Sequence, residues 1–289
     1  MTSTYRLAER AVLMRLTAGL PGKSRKDRNL TENVKSEHGL GKASGAWIKQ
    51  RWPDWALAPL EKLVNEARTY HLAVTLPFDA GIGILPAALI MEYSDKMRDF
   101  RSRFDNLRDA HFVVKYPEMI DWAKAEHNGT FDASDYPAVE ELMASFYFAT
   151  EPLPVPDAAH FEGTLHSLLG TDADGVNMRV ADAMQEAQRE LMRRLIDPVK
   201  AMAVKLAEQP KEGKDSPVFR DTLIENIKTI ASLAPKLNIA GDPQIDVFVS
   251  EITKLTRFEP DTLRKSVQTR ADVQREAEAM LAKMAAYKL

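Results

Sequence analysis

The chain has 289 residues, 45% of them hydrophobic and 28% charged, with a formal net charge of −3, enough to bury a core as one elongated domain or two compact ones. It contains no cysteine, which excludes disulfides, thiolate zinc sites, iron–sulfur clusters and cysteine nucleophiles. The longest apolar run, Ile82 to Met91, is broken by Pro86 and too short to span a bilayer, and charges stand where a signal peptide would be apolar, so a cytoplasmic protein is expected.

In chain order, Arg10 to Thr17 mixes β-branched and long apolar residues, which allows either a short strand or a first helix before the Gly19-Leu20-Pro21-Gly22 breaker. The polar stretch from Gly22 to Gly45 has few large apolar side chains and reads as a loop, or as a segment ordered on binding. Pro59 at N1 opens an amphipathic helix with Leu60, Leu63, Val64, Ala67 and His71 on one stripe. The TLPFDAGIGILP segment reads as a hinge. From Pro86 to about His111 the apolar spacing is helical, a further helix starts at Pro117 and ends at Gly129, and Asp135-Tyr136-Pro137 leads into a helix over 139–146. Pro152, Pro154 and Pro156 confine the next stretch to an edge strand or a polyproline-like crossing. Beyond it the pattern is helical almost throughout: Asn177 to Glu208, kinked or divided at Pro198, then Pro217 to Leu233, Pro243 to Leu255 and Asp261 to Tyr287. The expected fold is mainly α, an elongated protein with long helices and a small β element in the N-terminal half. Its expected divisions are a basic N-terminal segment 1–56, a helical domain with a Pro-rich crossing strand 57–170, and a C-terminal helical region 171–289.

No catalytic constellation emerges. Gly22-Lys23-Ser24 has the tail of a phosphate-binding loop, but that motif needs glycine where Thr17 stands. Gly81-Ile82-Gly83 lacks the third glycine of a dinucleotide loop, whose place Pro86 takes. Asp172-Ala173-Asp174-Gly175 resembles part of a calcium loop, yet Gly170 and Ala181 stand at its first and last ligand positions. The six histidines show no HxH or HExxH spacing; His160 and His166, near Asp157 and Glu162, are the nearest thing to a metal set. His71 and His111 lie on apolar helical faces and read as core histidines bonded to backbone carbonyls. A non-enzymatic protein without metal or cofactor is expected.

Charge is the informative feature. The first 52 residues carry eleven Lys and Arg against four acids, +7 against a total of −3, so the remaining residues carry −10. Within the basic part, Lys23, Arg25, Lys26 and Arg28 are candidates to hold phosphates, while Lys42, Lys49 and Arg51 would flank bases stacked on Trp47 or Trp52. The competing reading packs both tryptophans under the first helix, beside Trp55 and Leu57, and leaves the lysines as plain surface. The acidic stretch from Tyr116 to Glu190 has three readings: ordinary surface, a cover that holds the basic arm when no nucleic acid is present, or a dock for a basic protein.

The strings EARTYHLAVTLPFDAGIGILPAALIMEY (66–93) and FVVKYPEMIDWAKAEHNGTFDASDYPAVEELMASFYFATEPLPVP (112–156) contain TLPF with ILP, the pairs Tyr116-Pro117 and Tyr136-Pro137, and a PLPVP crossing. In these landmarks the chain resembles a family of uncharacterised tailed-phage and mobile-element proteins, a domain of unknown function, over about residues 10 to 165. The resemblance implies a phage or mobile-element context and no active site. It fits roles in handling replicating or recombining DNA, or in countering host enzymes. Together these readings point to a nucleic-acid-binding protein of the host cytoplasm, with single-stranded DNA as the preferred partner. The alternative is a helical adaptor or scaffold that self-associates into a homo-oligomer, its acidic middle docking a host or phage protein.

Overall fold

A computed structural model of the chain describes residues 3–156, 173–207 and 221–287. The elements are α1 (Ser3–Arg10), β1 (Ala11–Gly19), β2 (Ser24–Lys26), α2 (Arg28–Glu37), β3 (Ile48–Gln50), α3 (Asp54–Val74), β4 (Leu76–Asp79), β5 (Ile82–Pro86), α4 (Ile90–Leu107), α5 (Tyr116–His127), α6 (Val139–Met143) and β6 (Tyr147–Leu153). The helices α7 (Ala173–Ala207), α8 (Asp221–Leu237), α9 (Pro243–Leu255), α10 (Pro260–Lys265) and α11 (Val267–Ala286) follow. The architecture is mainly α with a small sheet, as the periodicity predicts. His160, His166 and Asp172, and the helix end expected at Glu208 and start at Pro217, lie outside the described residues.

The chain divides into two compact units, neither of them one stretch of sequence. The first comprises Met1–Arg15, Leu72–Met91 and Pro152–Leu289. Its β4–β5 hairpin replaces the expected hinge: Asp79 accepts a hydrogen bond from the Ala80 amide at 2.8 Å, and Gly81, at φ +74°, supplies the left-handed turn residue. The first half of β1 pairs antiparallel with β5, from Ala11 opposite Pro86 to Arg15 opposite Ile82, which resolves the strand-or-helix ambiguity in favour of a strand. A Cβ at Gly83 would stand 2.6 Å from the Thr75 hydroxyl, so backbone and side chain meet there without room for any other residue.

On α7, Val180, Ala183, Ala187, Leu191, Leu195, Val199, Met202 and Leu206 are buried at spacings of three and four. That stripe runs straight past Pro198, and the helix neither ends nor divides there. Proline removes the amide that would bond the Arg194 carbonyl, but unbroken burial on both sides outweighs one lost bond. The same holds at Pro235 inside α8, which extends to Leu237. The C-terminal helix expected as one piece is two, α10 and α11, because Ser266 adopts an extended conformation and caps the Thr269 amide at 3.1 Å.

The second unit comprises Leu16–His71 and Glu92–Glu151. Its core is aromatic, with Tyr93, Met97, Phe100 and Phe104 on the buried stripe of α4, and Trp52, Phe112, Tyr116 and Phe146 packed beyond it. Helix α3 begins at Asp54, a turn and a half before Pro59. Proline inside a helix orphans the carbonyl four residues back, here that of Trp55, and His111 meets that carbonyl through Nε2 at 3.1 Å. His111 sits in a π-helical turn, Arg108–Val113, that follows α4 and also turns Phe112 into the core. The polar stretch expected to be loop contains β2 and α2, a difference that bears on the site.

His71 is buried at the end of this unit's part of α3 and shares a 2.8 Å hydrogen bond with the Tyr93 hydroxyl. Burial holds the imidazole pKa below its ordinary value and pushes the Tyr93 phenol up. A histidine depressed in the fold binds its proton more readily when unfolded, so stability is complete above about pH 6.5 and declines as the pH falls toward the folded value. Urea midpoints measured between pH 7.5 and 5 are expected to fall with acidification, and to fall less in His71→Gln. Equal slopes in the two proteins would remove His71 as the cause.

Candidate nucleic-acid interface

The basic N-terminal segment is a small folded element. Asp27 follows β2 in an extended conformation, and its carboxylate accepts from the Leu30 amide at 2.8 Å, which starts α2. Gly39, at φ +60°, follows the helix end. An Asp cap and a Gly stop twelve residues apart are sequence signals that identify this helix; its scarcity of apolar residues hides it from a periodicity search.

Strands β2 and β3 form an antiparallel ribbon with Ser24 opposite Gln50, Arg25 opposite Lys49 and Lys26 opposite Ile48. The helix is tied to it at two points. The Asp27 amide donates to the Trp47 carbonyl at 3.0 Å, and the Trp47 amide donates to the Thr31 hydroxyl at 2.9 Å. Arg25 and Lys49 are directly opposed like charges, an arrangement that destabilises a ribbon unless each is neutralised. Both are. Arg25 pairs with Asp135 at 2.7 Å, while the buried Lys49 ammonium contacts the Asp27 carboxylate and the Thr130 carbonyl. The hydrogen bond from Lys49, joined by the Leu30 amide, holds the Asp27 carboxyl below its ordinary pKa.

The nine candidate residues therefore separate. Lys23 pairs with Glu61 at 2.7 Å. Arg51, half-buried, stacks its guanidinium 4.7 Å above the Trp52 ring and donates to the Asp135 carbonyl at 2.7 Å; desolvation lowers its pKa. Lys49 is 7% exposed and cannot flank a base. Trp52 is 2% exposed, with Phe112, Tyr116 and Tyr136 around it at ring distances of 5.5 to 5.8 Å and its indole N–H donated to the Gly22 carbonyl at 3.0 Å. No face of that ring is open to a base, so the expectation that Trp52 stacks is corrected. The converse holds for Trp55, expected to be packed away but 40% exposed beneath the Lys115 ammonium.

Trp47 is 52% exposed although its backbone is bonded on both sides. Lys26, Arg28 and Lys42 are exposed, and none of them enters an ion pair among the described residues. Leu40 and Ile48 add exposed apolar surface on the same element. Beside it lies an open groove of about 850 Å³ lined by Arg25, Lys26, Arg28, Asn33 and Lys49 from the β2–α2–β3 element and by Thr130, Phe131, Asp132 and Asp135 from the segment after α5. Sequence inspection does not reveal that second lining, because Asp135 is separated from Arg25 by the whole of α3, α4 and α5. Among the described residues no cluster of His, Asp and Glu could hold a metal ion, and no helix is long and apolar enough to cross a membrane. Comparison of the chain with protein-family models, curated proteins and solved structures finds no match.

Proposed function

We propose that the β2–α2–β3 element of this chain binds single-stranded nucleic acid, DNA by preference, without catalysing a reaction on it. The observation that carries the reading is Trp47. Its backbone is pinned to Asp27 and Thr31 while its indole stands half in solvent, on an element that also presents Lys26, Arg28 and Lys42 without an ion pair among the described residues. An aromatic ring carried on an ordered backbone takes a base at reduced ordering cost, and the cations track the backbone phosphates. Lys23 and Arg25 are exposed but already paired, so they contribute less than their charge suggests. The tailed-phage or mobile-element resemblance, with a host-cytoplasm setting, belongs to the same reading.

The test is fluorescence anisotropy of a labelled unstructured oligonucleotide, repeated at several salt concentrations and with duplex of equal length. Trp47→Ala is expected to cost about 1 to 3 kcal/mol of binding, the worth of one stacked base. Neutralising Lys26, Arg28 and Lys42 together is expected to flatten the log–log salt slope by about two. Absence of binding by the wild-type protein at low salt would overturn the proposal. The reading it would leave is a protein-docking adaptor, favoured by the exposed Leu40 and Ile48 beside Trp47.

A further inference from the structure

We infer that Asp135 occupies Arg25 as an internal stand-in for a phosphate, so that the acidic segment after α5 holds one cation of the nucleic-acid element in reserve. The inference rests on the reading proposed above and adds to it a device that sets the affinity.

The segment from His127 to Asp135 lies against the β2–β3 ribbon through four contacts. His127 Nε2 meets the Gln50 carbonyl at 2.8 Å, the Lys49 ammonium reaches the Thr130 carbonyl, Arg51 donates to the Asp135 carbonyl at 2.7 Å, and Arg25 pairs with the Asp135 carboxylate at 2.7 Å. These contacts differ in how readily they can be exchanged. Lys49 is buried and Arg51 is half-buried, so their bonds fix the segment in place. The Arg25 side chain is 56% exposed whereas that of Asp135 is 15% exposed. The guanidinium is therefore open to a phosphate on the side away from its carboxylate, while the carboxylate is largely shielded from water, so opening the pair carries the cost of leaving that charge without its counterion. Asp132 adds a second negative charge to the lining of the same groove, facing Lys49 and Arg25.

A strand lying along the groove past Lys26 and Arg28 also meets Arg25, which lines the same groove and whose charge a carboxylate already balances. It then gains no counterion release from Arg25 until that pair opens. The carboxylate also repels the phosphates that pass it, which favours strands flexible enough to skirt the groove wall.

Asp135→Asn removes the charge and keeps the backbone carbonyl that Arg51 uses. The variant is expected to bind an unstructured oligonucleotide about fivefold more tightly at 0.1 M salt and to steepen the log–log salt slope by about 0.7, the contribution of one added phosphate contact on a single strand. Arg25→Gln is expected to change wild-type affinity less than twofold and to abolish the gain when combined with Asp135→Asn. Equal or weaker binding by Asp135→Asn, with an unchanged slope, would overturn the inference while leaving strand binding intact. Absence of binding by the wild-type protein at low salt would instead remove the underlying reading. If Asp135→Asn does not fold, Arg25→Gln alone decides, since a slope flattened by about 0.7 in that single variant would show that Arg25 already holds a phosphate and is not in reserve.

Discussion

Asp27→Ala is expected to lower the free energy of unfolding by about 4 kcal/mol, a large share of the stability of an ordinary domain. Two losses add to this figure. The N-cap of α2 is worth about 1 kcal/mol, and Ala has no oxygen to offer the Leu30 amide. The larger part comes from Lys49, whose side chain is 8% exposed and would keep only the Thr130 carbonyl as a hydrogen-bond partner among the described residues, a buried charge without its paired carboxylate costing about 3 kcal/mol. Asp27→Asn separates the two, because asparagine caps as well as aspartate but carries no charge; it is expected to lose about 3 kcal/mol. The pH dependence follows the same logic. A carboxyl held below its ordinary value in the fold contributes stability that is present above the unfolded pKa of about 3.9 and disappears as the pH falls through the folded one. The gap between wild type and Asp27→Asn should therefore be flat from pH 7 to about pH 5 and close only below about pH 4. Urea unfolding at pH 7 decides the main point: a loss under about 1 kcal/mol in Asp27→Ala would mean that Lys49 is not held as the geometry indicates.

What could be read from the sequence follows from the range of the interactions involved. Helix α9 is legible end to end, since Asp242 caps it, Pro243 begins it, and Ile245, Phe248, Ile252 and Leu255 repeat at helical spacing. Its determinants all lie within a dozen residues. The β4–β5 turn was equally local and readable from Asp79 and Gly81, but two prolines in the segment favour a hinge reading over a hairpin. Helix α2 lies at the limit, carrying its cap and stop in sequence yet lacking an apolar stripe, because its buried anchor is the polar Thr31. Beyond that range the sequence is silent. Whether a cation in the first 52 residues is free or paired depends on Glu61, Asp135 and Thr130. Charge counting finds the basic segment, and only the tertiary structure separates Lys26, Arg28 and Lys42 from the cations already matched.

Trp52→Ala is expected to cost about 3 to 5 kcal/mol, the range for deleting a large aromatic side chain from a core. The indole fills the space among Phe112, Tyr116 and Tyr136, and a close-packed surround of this kind relaxes only in part into the cavity left behind. The deletion also strips Arg51 of the ring beneath its guanidinium. Trp47→Ala, five residues away, removes a ring already half in solvent and is expected to change stability by less than about 0.5 kcal/mol. A Trp52→Ala protein within 1 kcal/mol of wild type in urea would contradict the burial. The contrast also fixes which fluorophore reports on a bound strand. In Trp52→Phe, quenching by an oligonucleotide should persist because the Trp47 indole remains on the binding element, whereas in Trp47→Phe it should largely disappear while the fold holds, the exposed Trp55 lying outside that element. Quenching that follows Trp52 instead would mean that the core opens on binding, and the pinned, solvent-facing Trp47 would then have no part in recognition.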